Sequence, residues 1–465
     1  MPNYLVLLVV VNTLVLFICS SIRHALFQSN FDLAIFDNAI YLISQGNTPF
    51  VSFRGLHILG DHAAFILYVL AGLYKIYPTV HWLFAVQAFT LTLSIVPLWY
   101  LALEANLDRQ QAKTVILAYL LYPLIFNVNL ADFHPEVMAV PAIFGAVLAA
   151  KKKKLWWFSL AIAFILSCKA VLALTVVAMG IWLIGWSKQY SYGAIAIVLG
   201  VSWFVISTQI IIPYFSGSEA AAVDRYSYLG DSVIAIIKNL FGQPWLIGSK
   251  VFSLATLEYL FLLILPVLWA ISPRSNFAPL IGAMPILLIN LLSESASQRN
   301  LVHHYSLPIL PWLFLVVIAT IAEDKTWLKK PNKILIWSVC TFLALAKYGY
   351  FGSLYLESID TWQATREAIV QIDSKAGVLT TTDLAPHLTH RPLVQLATIG
   401  SESNDFSEIK YVLLNSRHPG WASSGETIHN LTVKFQQMPE YQLQYQQDGI
   451  WLFIKKSLIF GYKSK

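Results

Sequence analysis

Gly60-Asp-His-Ala-Ala-Phe-Ile-Leu-Tyr-Val-Leu-Ala-Gly-Leu-Tyr-Lys-Ile-Tyr-Pro78 is the stretch on which the topology of this chain turns. It is apolar enough for a short membrane crossing. Yet it opens with Asp61-His62, carries Lys75 near its end and is rich in tyrosine, all of which suit a helix lying along an interface. If it crosses, Asp32 and Asp37 fall on the opposite side from Asp132 and His134. If it lies along or dips into the interface, the N-terminus is cytoplasmic and the polar clusters all face outward. We adopt the interfacial reading.

That a bilayer is involved at all follows from composition. The 465 residues are 57% apolar, 14% aromatic and only 12% charged, with a mean hydropathy of +0.62. Soluble domains carry about 25% charged residues, so a water-soluble enzyme of this length is excluded. Disorder, coiled coil and collagen are excluded on the same grounds. Cys19, Cys168 and Cys340 all lie in apolar runs, where a thiol behaves as a small hydrophobe, so no disulfide framework is expected. The net charge of +6 could suit nucleic acid, but the placement of the lysines points to a membrane.

Crossing the hydrocarbon core takes ~20 mostly apolar residues. Eleven stretches qualify or nearly so: 4–22, 79–103, 114–130, 135–150, 155–168, 170–186, 193–213, 251–271, 278–293, 305–322 and 334–352. The first lacks a basic leader and a small-residue cleavage pattern, so it reads as a retained span. The five short loops 104–113, 151–154, 187–192, 272–277 and 323–333 hold 12 Lys/Arg in 37 residues. The complementary segments 23–78, 131–134, 169, 214–250 and 294–304 are far longer and hold 8. Basic loops stay inside, which places those five in the cytoplasm.

Two features refine this plan. The apolar run 155–186 is long for one helix and short for two, with Lys169 near its middle; a mid-bilayer lysine is costly, so a break is expected there. From about Glu357 onward the chain turns polar and alternating. A helix is expected over 359–374, strands over 377–383 and 410–415, and a hairpin over 440–455 turned by Asp448-Gly449. The expected fold is a polytopic α-helical membrane protein of about eleven transmembrane helices, residues 1–355, with a large extracytoplasmic loop over 23–78. A small α/β extracytoplasmic domain over 356–465 completes it.

The outward polar residues are the candidates for chemistry. Asp32 opens an amphipathic helix, where the helix dipole favours a carboxylate, and Asp37 follows five residues on. The bland reading is a helix-start acid and one solvated acid. Asp132, His134 and Glu136 alternate, so an extended strand would turn all three to one face and offer a metal or phosphate environment. Helix initiation at Pro135 explains the same residues and is compatible with it. Arg299, His303 and His304 form a second set; the guanidinium fork suits a phosphate, while an interfacial basic loop is the plain alternative. A connector as long as 23–78, which also carries Arg54, His57, Asp61 and His62, is usually functional.

These residues carry a resemblance. A large outer loop after the first span, with an early acid and an interfacial helix, resembles the type C (GT-C) glycosyltransferases. Asp32 followed by Ala39-Ile-Tyr-Leu-Ile-Ser-Gln-Gly46-Asn-Thr-Pro is similar to the aminoarabinose and protein mannosyl transferases, and Ala163-Phe-Ile-Leu-Ser-Cys-Lys169-Ala resembles their lysine-bearing helical break. The nearest resemblance is to a bacterial predicted-membrane-protein family with a domain of unknown function in that clan. It rests on Phe31-Asp32-Leu-Ala-Ile-Phe-Asp37-Asn, Gly60-Asp61-His62, Ala131-Asp132-Phe133-His134-Pro135-Glu136 and Pro386-His387-Leu-Thr-His390-Arg391. One departure stands out: acids follow the family's lysine, whereas Ala170-Val171 follow Lys169. The resemblance implies transfer of a sugar from a polyprenyl-phosphate donor to an extracytoplasmic acceptor at a bacterial inner (plasma) membrane. It implies Asp32 as base, with Asp37 or Asp132 second, and Lys169, Arg299, His303 and His304 around the phosphate. His62, His134 and Glu136 would orient donor or acceptor. A divalent cation is admitted, not required, and nucleic acid is not an expected partner. A transporter or flippase, or a non-catalytic scaffold, remains the alternative.

Overall fold

The first apolar run forms helix α1 (Asn3–Ala25). Its 23 residues give ~35 Å of helix, enough for a hydrocarbon core of ~30 Å. Leu7, Val10, Leu14 and Ile18, spaced by three and four residues, stand exposed in a single stripe. Such a stripe is lipid-facing rather than core-facing. The protein is presented as a computed structural model that describes residues 2–218, 221–373 and 375–456.

Among the described residues five helices are long and apolar enough to cross a bilayer: Asn3–Ala25, His81–Glu104, Arg109–Leu130, Tyr190–Ser216 and His304–Ala322. Two bent pairs raise this to seven if each is one span: Pro244–Val251 with Leu254–Ala270, bent by 61°, and Pro331–Leu345 with Lys347–Leu356, bent by 43°. Of the about eleven spans expected, five to seven pass by length and composition among the described residues. The stretches 155–168, 170–186 and 278–293 fall on the shorter helices Leu155–Cys168, Leu172–Gly185 and Ala278–Leu292. The stretch 135–150 is a 3₁₀ turn (Pro135–Met138) followed by Ala139–Lys151. Fourteen residues make ~21 Å of helix, short of the core thickness. Hydropathy runs on through the breaks at Pro135 and Lys169, whereas the backbone does not.

By packing, the chain forms two compact units. One comprises Met1–Ile18, Ile58–Ile66 and Leu83–Lys347; the other comprises Cys19–His57, Leu67–Trp82 and Tyr348–Lys465.

In the first unit, small residues let helices approach closely. A Cβ on Gly180 would lie 2.6 Å from the Gly193 carbonyl oxygen and 2.7 Å from Ile197 Cγ1, so helices Leu172–Gly185 and Tyr190–Ser216 meet backbone to backbone. The expected break at Lys169 is present: Leu155–Cys168 ends there, with Lys169 extended at φ −166°, ψ 140°.

The second unit contains helix α2 (Phe31–Ser44) and a two-stranded ribbon of β1 (Phe50–Val51) and β2 (Leu56–His57). The chain continues through α3 (Ile58–His62), in the first unit, to α4 (Ile66–Ile76). Eleven residues of α4 amount to ~16 Å, about half the thickness of the core. The C-terminal region builds a five-stranded sheet from β3 (Gly377–Thr380), β4 (Val394–Leu396), β5 (Ile409–Asn415), β6 (Tyr441–Gln447) and β7 (Ile450–Lys455). The order is β4-β3-β5-β7-β6, with β4, β3 and β5 parallel and the last two pairings antiparallel. Alternation along β5 sends Leu413 to one face, with Ala364 and Ala368 of helix Trp362–Ile369. It sends Val412 and Leu414 to the other, with Ile428, Leu431 and Phe435 of helix Gly425–Gln437. The hairpin turn needs positive φ twice, and Asp448 (50°) and Gly449 (83°) supply it. The helix expected over 359–374 is shorter, preceded by a 3₁₀ turn at Ile359–Thr361. Ser374 and residues 457–465 of the expected C-terminal segment lie outside the described residues.

Candidate functional site

In the first unit the polar residues are set by a turn. Helix Arg109–Leu130 ends, and Asp132 takes φ +77°, a left-handed conformation uncommon outside glycine. Gln87, wholly buried, pins the turn. Its Nε2 donates to the carbonyls of Val128, Asn129 and Asp132 at 3.1–3.2 Å, and its Oε1 accepts from the His134 backbone N–H at 3.2 Å. His134 is extended (φ −139°, ψ 135°), and Pro135 starts the 3₁₀ turn that carries Glu136. Helix initiation at Pro135 therefore holds, whereas the extended stretch expected through Asp132, His134 and Glu136 does not form: only His134 is extended, Asp132 being left-handed and Glu136 lying in the 3₁₀ turn.

Glu136 then gathers the other candidates. Its Oε1 accepts from Lys169 Nζ at 2.7 Å and lies 3.2 Å from His304 Nε2. The His134 and His304 rings stack at 3.5 Å between centroids. Tyr305 packs on His304 at 4.1 Å, with the Arg225 guanidinium 5.2 Å over its ring. The Lys169 side chain is 12% exposed, and those of Glu136 and His304 only 4% and 5%. His62 is tied in through its backbone: the Ala170 N–H donates to the His62 carbonyl at 3.0 Å. Gly60, on the same short helix, permits a second close approach, since a Cβ there would lie 2.8 Å from Ser216 N and 2.9 Å from the Phe215 carbonyl carbon. Among the described residues Glu136 Oε2 and both ring nitrogens of His304 are buried without a hydrogen-bond partner.

Arg299 and His303 make separate contacts. Arg299 donates to the carbonyls of Leu291 (3.2 Å) and Ser293 (2.7 Å), satisfying the end of helix Met284–Leu292. His303 Nδ1 lies 3.1 Å from Asn300 Oδ1.

The second unit holds the other two carboxylates. Asp32 sits half-buried in the first turn of α2. Asp37 is buried and accepts from the Tyr74 hydroxyl at 2.5 Å and from the Thr389 hydroxyl; His390 Nε2 is 3.1 Å from its Oδ2. Burial pushes the Asp37 carboxyl up, but the His390 charge and the three side-chain hydrogen bonds outweigh it and hold the group below its ordinary value. Burial likewise pushes His390 down, and Asp37 reverses that and raises it. The ring of His390 stacks on Tyr41 at 4.7 Å. Next along α2, Asn38 Nδ2 donates to the Thr389 carbonyl (2.6 Å) and the Arg391 carbonyl (2.9 Å). Arg391 donates in turn to the carbonyls of Leu388, Asp373 and Ala376.

The sequence reading named no role for Gln87, Tyr74, Thr389 or His390. His390 was signalled only as part of the Pro386–Arg391 motif. Among the described residues no three His, Cys, Asp or Glu side chains are arranged to hold a metal ion.

Residues 23–452 match a family model described as predicted membrane protein (DUF2079). Two crystal structures of ArnT from Cupriavidus metallidurans share the fold. One, bound to undecaprenyl phosphate, superposes with a TM-score of 0.54 at 11% identity, covering 97% of this chain and 98% of that one. The other, in the apo state, gives a TM-score of 0.54 at 10% identity, covering 96% and 97%. No curated protein matches the sequence.

Proposed function

We propose, from the premise that the chain belongs to the DUF2079 family of predicted membrane proteins, that it is an integral-membrane glycosyltransferase. It moves a sugar from a polyprenyl-phosphate donor to an extracytoplasmic acceptor, in a bacterial inner membrane, with its N-terminus cytoplasmic and its C-terminal sheet outside. The observation that carries this reading is the buried Lys169–Glu136–His304 group, in a fold shared with a protein that binds undecaprenyl phosphate. Burying a lysine and a carboxylate side by side is a poor way to gain stability. It is a good way to keep a cation ready where a phosphate leaving group develops charge. Lys169 is assigned to that phosphate, with Arg299 and His303 as further candidates.

Deprotonation of the acceptor hydroxyl is assigned to a carboxylate. Asp32 is the assigned base, with Asp132 the second candidate. Asp37 already accepts from Tyr74 and Thr389 and is paired with His390, so its role is to position α2, on which Asp32 stands.

The test is extraction of lipids from the purified full-length protein, followed by a transfer assay with the lipid-linked sugar so identified. Copurified polyprenyl-phosphate sugar and its consumption by wild type are expected. A protein that carries no such lipid and turns over none overturns the reading.

A further inference from the structure

Resting on that reading, and going beyond it to donor recognition, we infer that Glu136 and His304 form a subsite for hydroxyl groups of the sugar ring carried by the phosphate. Glu136 Oε2 and both ring nitrogens of His304 are buried, and among the described residues none of the three has a hydrogen-bond partner. The two residues are 3% and 4% exposed. Leaving a buried polar atom unmatched costs about 1–3 kcal/mol, so three such atoms in one cluster call for a completing group.

The chemistry of that group follows from what the three atoms offer. A carboxylate oxygen only accepts. His304 Nε2 lies 3.2 Å from Glu136 Oε1 without forming a hydrogen bond, so the neutral ring offers one N–H donor and one lone pair, both unmatched. The completing group must donate to the carboxylate and both donate to and accept from the ring. A phosphate dianion has no donor and would meet a carboxylate, so it does not fit these atoms. Hydroxyls on a sugar ring donate and accept, and so match all three. Lys169 is the complement: an ammonium has three donors, and one is directed at Glu136 Oε1. The same cluster thus presents donors from Lys169 for a phosphate and acceptors from Glu136 and His304 for hydroxyls, with the shared Glu136 carboxylate fixing their spacing. The His134 ring stacks on that of His304 and the Tyr305 ring packs against it at a tilt, restricting its rotation.

The test is binding to the full-length protein in nanodiscs of undecaprenyl phosphate alone and of undecaprenyl phosphate carrying glucose, mannose or arabinose. Wild type is expected to bind at least one glycosylated lipid about tenfold or more tighter than the bare phosphate. His304→Phe and Glu136→Gln are expected to reduce that preference while retaining the bare lipid; two variants are used so that misfolding of one leaves the other to decide. Equal affinity of wild type for the bare lipid and all three glycosylated lipids overturns the subsite but leaves the transferase reading standing. Binding of none of the four lipids overturns the transferase reading and the subsite with it. Ordered waters that keep all three orphan atoms in a glycosylated-lipid complex also overturn the subsite.

Discussion

His390 Nε2 lies 3.1 Å from Asp37 Oδ2, joining positions 353 residues apart in the chain. The pair fixes how this unit responds to pH. Asp37 is held below its ordinary 3.8, so its contribution to stability is present above that value and lost as pH falls through the lowered one. His390 is held above its ordinary 6.5, so its contribution is complete below 6.5 and lost as pH rises through the raised value. The melting temperature is therefore expected to fall on going from about pH 6 to about pH 9. His390→Gln should flatten that slope and, by leaving a buried carboxylate without its cation, lower stability at pH 6 by on the order of 3 kcal/mol. A wild-type profile that is flat over that range contradicts the ion pair.

Asp32 and Asp37 are expected to separate in their effects. Asp32→Asn should reduce transfer by about 10²–10⁴-fold with little change in melting temperature, as for loss of a general base. Asp37→Asn should lower the melting temperature first. Full transfer by Asp32→Asn would remove Asp32 from the role of base.

Lys169→Met leaves the Glu136 carboxylate buried beside a thioether. A destabilisation of about 3–5 kcal/mol is expected, because an uncompensated buried charge remains. Adding Glu136→Gln should recover part of that stability without restoring transfer. Additive losses in the double variant, read from thermal unfolding, would show that the two side chains do not interact.

Gly60→Ala places a methyl against the backbone of Phe215 and Ser216 and should cost about 1–3 kcal/mol. Gly72→Ala, on exposed helix with open space around it, should instead be neutral or stabilise by roughly 0.5–1 kcal/mol. Equal melting temperatures for the two variants would deny the close approach at Gly60.

The break at Lys169 is legible in sequence because a lysine in an apolar run is expensive wherever it lies, and the backbone obeys that constraint alone. The Asp448-Gly449 turn is legible for an equally local reason, since few residues accept two positive φ angles in succession. The number of full-length spans is not legible in this way: apolarity continues across Pro135 and Lys169, while helix length is set by where the hydrogen-bond ladder stops. The partners of Asp37 are harder still. Nothing near Phe31–Ser44 announces that Thr389 and His390 will meet it, because that pairing arises only from the folded path of the chain. Arg299 shows the converse. Its guanidinium fork invites a phosphate, yet it binds two carbonyls at a helix end whose location depends on tertiary packing.

The 353 residues between Asp37 and His390 also set a clock. At about 5–20 residues per second, a ribosome needs roughly 20–70 s to reach His390 after it has released Asp37. Throughout that interval α2 is already made, but its buried acid has neither the imidazole nor the threonine that will hold it. The second unit therefore completes itself late in synthesis. Translation halted before residue 389 should leave α2 without its clamp, however well the spans before it have inserted.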